Sequence, residues 1–415
     1  MDISKLQQNN FLIDFSNKVV LLRADFNVPI KKQDDSYLIN DYSRINAVIP
    51  TIKELIKKNP KLIILVSHLG RPKGKYNKDL SLYPVKNYIS LQIKRNIQFL
   101  SEYYPLVNLA SYQGILMLEN IRFLPEEENI LNNTLGKYLS SITDIYINEA
   151  FSCSHRNHSS IVSIKAEYRL AGPLLMNEIG HLNYVLKSNK KKTLIIGGSK
   201  ISDKIGLIKN LLPSIENLII GGAMAFSFIK NLNNIDIGKT LYDEESKKYV
   251  DEIQKLITNY NNRPNEIINL ILPVDWVVSQ NIKSSEEDVY TTSHDIPKNY
   301  MGLDIGPESI YLFNKVINNL DKDSIIIWNG PMGVFEEKSF SYGTKCIVKT
   351  LINKENTQTI IGGGDSVSAL NMFATKEEID NFIDNNNHIS TGGGACLEFL
   401  EGKSLPGINI LNNIL

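Results

Sequence analysis

The chain has 415 residues, enough for two or three domains with sizeable cores. Its 45 basic residues balance 45 acidic ones, so no global field draws it to nucleic acid or a membrane surface, and any anion site has to be local. A hydrophobic fraction of 42% and a charged fraction of 22% belong to an ordinary globular protein, and Cys153, Cys346 and Cys396 are too scattered for a disulfide framework or a cysteine zinc site.

Met1 to Asn10 is polar and lacks the apolar core of a signal peptide, and no apolar run approaches the ~20 residues of a membrane helix, so a cytoplasmic setting is expected. Short β-branched runs then alternate with longer amphipathic stretches, the pattern of βαβ units and parallel sheets. The first strand, Val19 to Leu22, runs into Arg23-Ala24-Asp25-Phe26-Asn27-Val28-Pro29. Asp25 and Asn27 are two apart and point the same way in an extended segment, which suits either one hydroxylated ligand or a turn cap. Leu62 to Val66 leads to Ser67-His68-Leu69-Gly70-Arg71-Pro72-Lys73-Gly74; three residues separate the glycines, which excludes a Walker loop. Strands at Ile97 to Leu100, Ile115 to Leu118 and Ile145 to Ile147 follow, the last two ending in Glu119-Asn120-Ile121-Arg122 and in Asn148-Glu149 through His158. His155 and His158 are three apart; with no third ligand nearby, anion binding and capping compete with a metal site. Successive strand ends that carry Arg or His converge on one crevice of a parallel sheet.

Leu174 to Leu186 has apolar residues at helical spacing and precedes the polar Ser188 to Lys192, which places an interdomain helix there. Beyond it, strands are expected at Leu194 to Ile196, Leu218 to Ile220, Leu270 to Leu272, Ser324 to Trp328, Thr359 to Ile361 and His388 to Ile389. Most run into glycine: Gly197-Gly198, Gly221-Gly222, Asn329-Gly330, Gly362-Gly363-Gly364 and, after Ser390-Thr391, Gly392-Gly393-Gly394. Such turns let backbone N–H groups approach a polyphosphate. Lys200 and Lys204, at the start of a helix, oppose its dipole unless an anion neutralises them. Asp365, beside the Gly362 turn, suits a phosphate-bound metal. Neither half has G-x-G-x-x-G after its first strand, which weakens a dinucleotide reading. The tail, Leu405 to Leu415, is apolar and expected to dock on the first domain.

With these residues in view, the chain resembles phosphoglycerate kinase from Val20 to the tail. The strings that carry the resemblance are Arg23 to Pro29, Ser67 to Gly74, Glu119 to Phe123, His155 to Ser159, Gly197 to Gly206, Leu272 to Val278, Met301 to Glu308, Trp328 to Glu336, Gly362 to Ser366 and Ser390 to Gly394. The resemblance implies an α/β fold of two Rossmann-like lobes, each a parallel sheet flanked by helices. The phosphoglycerate lobe would be 1–173 with the tail 403–415, the joining helix 174–187 and the nucleotide lobe 188–402. It also implies closure of the lobes on both substrates, Mg²⁺ as the cofactor carried by ATP or ADP, and a monomer.

By position, the resemblance assigns Asp25, Asn27, Arg44, His68, Arg71, Arg122 and Arg156 to the phosphoglycerate. It assigns Gly198, Gly221, Gly222, Gly302 and Leu303 to the adenosine, and Lys204, Asn329, Glu336 and Gly362, Gly363, Gly364, Asp365 and Ser366 to ribose, phosphates and metal. Arg44 and Lys200 match the partners of the transition state, with the N–H groups of Gly363, Gly364, Gly393 and Gly394 around the group in flight. The acceptor is already a carboxylate, so no side-chain base is required. Departures are small: Glu149 stands where the family usually has Asp, Ala223 where Gly is frequent, and Cys153 in a segment commonly of Gly, Ala or Thr. A nicotinamide-dependent dehydrogenase and a non-catalytic anion-binding protein are the competing classes. The first lacks its fingerprint, and the second has no use for Lys200 together with Asp365.

Overall fold

The computed structural model describes residues 13–33, 36–102, 104, 109–264, 266–283 and 288–414. Met1 to Asn10 and the final Leu415 lie outside them. In chain order the strands are β1 Val19–Arg23, β2 Ile30–Gln33, β3 Ser36–Ile39, β4 Leu62–Val66, β5 Gln98–Leu100, β6 Gly114–Leu118, β7 Ile145–Asn148, β8 Tyr168–Ala171 and β9 Lys192–Ile196. They continue as β10 Ile215–Ile220, β11 Asn269–Ile271, β12 Trp276–Ser279, β13 Tyr290–Thr292, β14 Met301–Ile305, β15 Ile325–Asn329, β16 Gln358–Ile361, β17 His388–Ile389 and β18 Asn413–Ile414. The chain divides into two compact units, Met1–Gly180 with Ser404–Leu415, and His181–Lys403.

The first unit is built on a parallel sheet in the order β18-β8-β7-β1-β4-β6-β5. The runs Val-Val-Leu-Leu-Arg of β1 and Leu-Ile-Ile-Leu-Val of β4 are buried throughout, as expected of strands covered on both faces. One cover is the helix Ser43–Lys57, which buries Ile45, Val48, Ile49, Ile52 and Leu55 at helical spacing. The chain turns back across the sheet at β1: β4 lies on one side and the much later β7 on the other. Such a reversal opens a crevice at the carboxyl ends of the strands.

The tail closes the other edge of this sheet. Asn413 and Ile414 pair with Leu170 and Ala171. Upstream, the Gly407 N–H donates to the Ser154 carbonyl at 2.8 Å, and the Asn148 side-chain amide donates to the Gly407 carbonyl at 3.0 Å. A side chain at 407 would meet Ile161 Cγ2 at 2.6 Å, so only glycine permits this approach.

The second unit has a parallel sheet in the order β11-β10-β9-β15-β16-β17, which reverses at β9 in the same way. It also carries a separate three-stranded antiparallel sheet, β13-β12-β14, whose Trp276 packs edge-on against Phe226 with ring centroids 5.8 Å apart. The helix Pro173–Lys187 buries Leu175, Ile179, Leu182 and Val185, and the boundary between the units falls within it, after Gly180.

Candidate active site

In the first unit, the loops after β1, β4, β6 and β7 bring the cations together. Arg23, the last residue of β1, is fully buried; its Nε donates to Ser160 Oγ at 2.8 Å and its Nη1 to the Ala24 carbonyl. Glu127, also buried, accepts from the Ser160 N–H at 2.8 Å and from the Ser160 hydroxyl at 2.6 Å. Arg122 is held by the Gly70 carbonyl at 2.9 Å and by Glu128 at 3.4 Å. Asn27 Oδ1 accepts from the Gly70 N–H at 2.8 Å, so the loops after β1 and β4 are tied to one another.

Asp25 accepts from Arg44 at 2.6 Å, from the Ser152 hydroxyl, and from the Asn27 N–H at 3.0 Å. Burial opposes charge on its carboxyl, but His68, the Arg44 guanidinium and the hydrogen bonds from Ser152 and Asn27 together outweigh burial and hold its pKa below the usual carboxylate value. Burial acts the other way on the imidazoles. It pushes His68 well below its ordinary pKa; the Asp25 carboxylate opposes this, and Arg23 and Arg122 add to it. Burial, with Arg156 and Arg122 as further causes, takes His155 down to about 4 and, with Arg122 first among the neighbours, His158 to about 3. The histidines of this cluster are therefore neutral near pH 7, and its positive charge resides in the arginines. Arg71 and Arg156 are exposed and have no ion pair among the described residues.

In the second unit, the turns after β9, β10, β15 and β16 meet the antiparallel sheet around a pocket of about 300 Å³. Phe226, Pro273, Trp276, Leu303 and Met332 form apolar wall, while Glu336 and Asp365 line it with exposed carboxylates. Lys204 is largely buried and donates from Nζ to Asn329 Oδ1; burial lowers its pKa. Asn329 in turn donates to the Gly362 carbonyl at 2.7 Å, and the Ser366 hydroxyl accepts from the Gly330 N–H at 2.7 Å. Asn329 and Ser366 thus brace the turns that surround the pocket. Gly364 opens the helix Gly364–Phe373, whose first N–H groups have no partner within the helix.

Glycines here fall into two kinds. A Cβ at Gly222 would meet Gly198 N at 2.5 Å and Pro331 O at 2.8 Å, and one at Gly302 would strike the Phe226 ring at 2.1 Å. Cβ atoms at Gly198, Gly364 and Gly393 would meet nothing within 4 Å. The first kind is required by packing. The second faces open space: Gly198 (φ +95°) and Gly393 (φ +51°) still need glycine for their positive-φ backbone, whereas at Gly364 neither packing nor backbone requires it.

A family model for phosphoglycerate kinase matches residues 11–403. Phosphoglycerate kinase of Plasmodium falciparum is 38% identical over 425 residues, covering 97% of each chain, and that of Candida albicans is 39% identical with the same coverage. Among solved structures, the phosphoglycerate kinase of Coxiella burnetii superimposes with a TM-score of 0.78 at 32% identity, covering 96% of this chain and 97% of that one. The chain belongs to the phosphoglycerate kinase family. Its reaction is the reversible, glycolytic transfer of a phosphoryl group between 1,3-bisphosphoglycerate and ADP, giving 3-phosphoglycerate and ATP.

For a phosphoglycerate kinase, the placement of the residues expected from sequence is informative. Asp25, Asn27, Arg44, His68 and Arg122 belong to one network in the first unit, and Arg71 and Arg156 stand on its loops. Gly198, Gly222, Gly302, Leu303, Glu336 and Asp365 line one pocket. Gly221 sits behind it, its missing side chain replaced by Met332, whose Sδ would lie 2.3 Å from a Cβ. Gly393 and Gly394 start the helix Gly394–Leu400, and Lys200 is exposed after β9. Sequence reasoning missed Arg23, Glu127 and Ser160 behind the arginines, and Phe226 and Trp276 in the pocket wall. Trp276 lies in a quoted string, but nothing in that string says what the ring touches.

Across the described residues no helix is long and apolar enough to cross a membrane.

Proposed function

We propose that the first unit binds the phosphoglycerate and the second the nucleotide, with the residues in the roles that the resemblance gives them. The supporting observation is the pair of unsatisfied surfaces: exposed arginines without ion pairs in one unit, and open glycine turns beside an apolar pocket in the other. Arg71, Arg122 and Arg156 supply charge to the phosphoglycerate, while Asp25, Asn27 and His68 supply directed hydrogen bonds to its hydroxyl and carboxylate end. The apolar pocket takes the adenine, with Ala223 in its lining, and Glu336 a ribose hydroxyl.

No three His, Cys, Asp or Glu side chains among the described residues stand together as a metal site, so the donor set fits Mg²⁺ that arrives on the nucleotide, held by Asp365 directly or through water. When bound, Mg²⁺ neutralises phosphate charge. Lys204 reaches the phosphates from Asn329, and the N–H groups of Gly363, Gly364, Gly393 and Gly394 point at the transferring group. Arg44 and Lys200 stabilise charge on its equatorial oxygens. The attacking group is a carboxylate or phosphate oxygen that is already ionised, so positioning and electrostatics suffice. Closure of the units on both substrates excludes water from the acyl phosphate. The protein works as a monomer in a cytoplasmic setting.

Reciprocal titrations test the division of labour. Arg122→Met should weaken 3-phosphoglycerate binding by about tenfold or more and leave ATP affinity unchanged, and Glu336→Gln should weaken ATP alone. Loss of both ligands from either variant would overturn it.

A further inference from the structure

Arg23 and Glu127 are both fully buried, yet they are not paired directly. Ser160 stands between them, accepting from Arg23 Nε at 2.8 Å and donating to Glu127 Oε1 at 2.6 Å. A direct bidentate pair would consume two donors on one edge of the guanidinium. With the hydroxyl interposed, Nη2 is left over, and it reaches His68 Nδ1 at 3.4 Å and Cys153 Sγ at 3.8 Å.

A guanidinium can only donate, so His68 Nδ1 has to accept. Cys153 Sγ, 3.8 Å from the same nitrogen, fits that state as a donor. An Nδ1–H would point at the permanently charged Arg23 Nη2 and could be accepted only weakly, by the Cys153 sulfur. His68 is buried and neutral, so its one proton belongs on Nε2, the ring atom with no protein partner among the described residues.

We infer that Arg23 is a positioning residue: it fixes His68 as the Nε2–H tautomer, so that a neutral imidazole offers the substrate one directed donor, and Glu127 holds Arg23 in place through Ser160. The surrounding arginines already carry the charge an anion needs. A neutral ring with a fixed tautomer adds direction without further repulsion inside the cluster. This role rests on the reading that the first unit takes the phosphoglycerate; the tautomer itself does not.

Long-range ¹H–¹⁵N spectra of the full-length protein labelled with ¹⁵N-histidine test it, with the His68 signals identified by their loss in His68→Gln. The wild-type spectrum at pH 7.5 should show Nδ1 as an unprotonated nitrogen and Nε2 as protonated. An Nδ1–H or doubly protonated ring overturns the inference, and that result does not depend on any Arg23 variant. In Arg23→Met the two tautomers should mix and KM for 3-phosphoglycerate should rise about tenfold, with KM for ATP within about twofold. Arg23→Lys, which keeps a donor, should recover most of the loss. If the wild-type tautomer is as stated but KM does not follow it in these variants, the positioning role is overturned. If 3-phosphoglycerate fails to move the His68 Nε2 signal, the assignment of this unit to the phosphoglycerate fails instead.

Discussion

Asp25 holds Arg44 at 2.6 Å while also accepting a hydrogen bond from Ser152. Arg44 stands in the first turn of the helix Ser43–Lys57, where a positive charge is opposed by the helix dipole. Its side chain is 34% exposed. A cation so placed needs an anion, and in the proposed reaction the transferring phosphoryl group succeeds Asp25 as that partner. Arg44→Ala should therefore lower kcat by ~10² or more with nucleotide affinity nearly intact, and lower stability as well, because the largely buried Asp25 loses its cation. Lys200, exposed and without an ion pair among the described residues, should show the same kinetic effect on substitution by Ala. Steady-state kinetics with ATP titrations check both. Weaker ATP binding at unchanged kcat would remove the two residues from the transition state.

Much of this was legible in the sequence because the signals are local. β4 has the predicted bounds, and Val19 to Leu22 is extended only by Arg23, since continuous β-branched runs in a two-faced sheet leave little choice. The hairpin β2–β3, the strand β8 with the edge strand β18, and the antiparallel sheet β12–β14 were not anticipated. Tyr-Arg-Leu-Ala and Met-Gly-Leu-Asp-Ile have weak strand preference, and tertiary pairing decides them. The site divides along the same line. Arginines at strand ends can be read by eye. That Arg23 points inward to Ser160, 137 residues away, is a long-range fact that no motif contains.

Gly364, unlike Gly302, is required by neither packing nor backbone, and the proposed phosphate site gives it a use. A methyl group there meets nothing within 4 Å and sits at the start of a helix, where Ala is at least as favourable as Gly. Gly364→Ala should leave the melting temperature unchanged or slightly raised and increase KM for ATP by about fivefold or more. Gly302→Ala, whose methyl would lie 2.1 Å from Phe226 Cζ, should lower the melting temperature as well. A Gly364→Ala variant with wild-type KM would take that turn out of the phosphate site.

Lys204 is a largely buried cation whose hydrogen-bond partner, Asn329, is neutral. Replacing it with Met removes a desolvation cost and leaves the Asn329 oxygen without its donor, two effects of opposite sign. Thermal stability should change little while ATP affinity falls about tenfold or more. Calorimetric titration and thermal melts read the two quantities separately. Strong destabilisation with intact ATP affinity would make Lys204 a brace and not a phosphate ligand.

In the proposed division of labour, each unit holds one substrate and the two have to be brought together. Small-angle scattering should show compaction when 3-phosphoglycerate and ATP are both present, and not with either alone. Equal compaction with a single ligand would replace this form of closure by one driven from one site.

Glu149 should give the protein a pH-dependent stability. Its carboxyl is buried against the start of the helix Pro173–Lys187, accepting from Thr51 Oγ1 at 2.5 Å and from the Leu174 N–H at 3.1 Å. Burial is the main cause that pushes its pKa up to about 7, from an ordinary value of 4.5, against those hydrogen bonds. Below 4.5 both folded and unfolded chains hold the proton and there is no penalty. Between 4.5 and 7 the folded state holds more protons than the unfolded one, so stability falls as pH rises, by about 3 kcal/mol at most once pH exceeds 7. Asp304, buried in the second unit and raised to about 7 for the same reason, adds a slope of the same sign. Glu149→Gln keeps groups that can satisfy Thr51 and Leu174 but cannot ionise. Its stability relative to the parent, measured by urea denaturation, should therefore increase from pH 5 to pH 8 as the parent's penalty develops. A parent and variant with parallel profiles would show that Glu149 keeps its charge in the folded state.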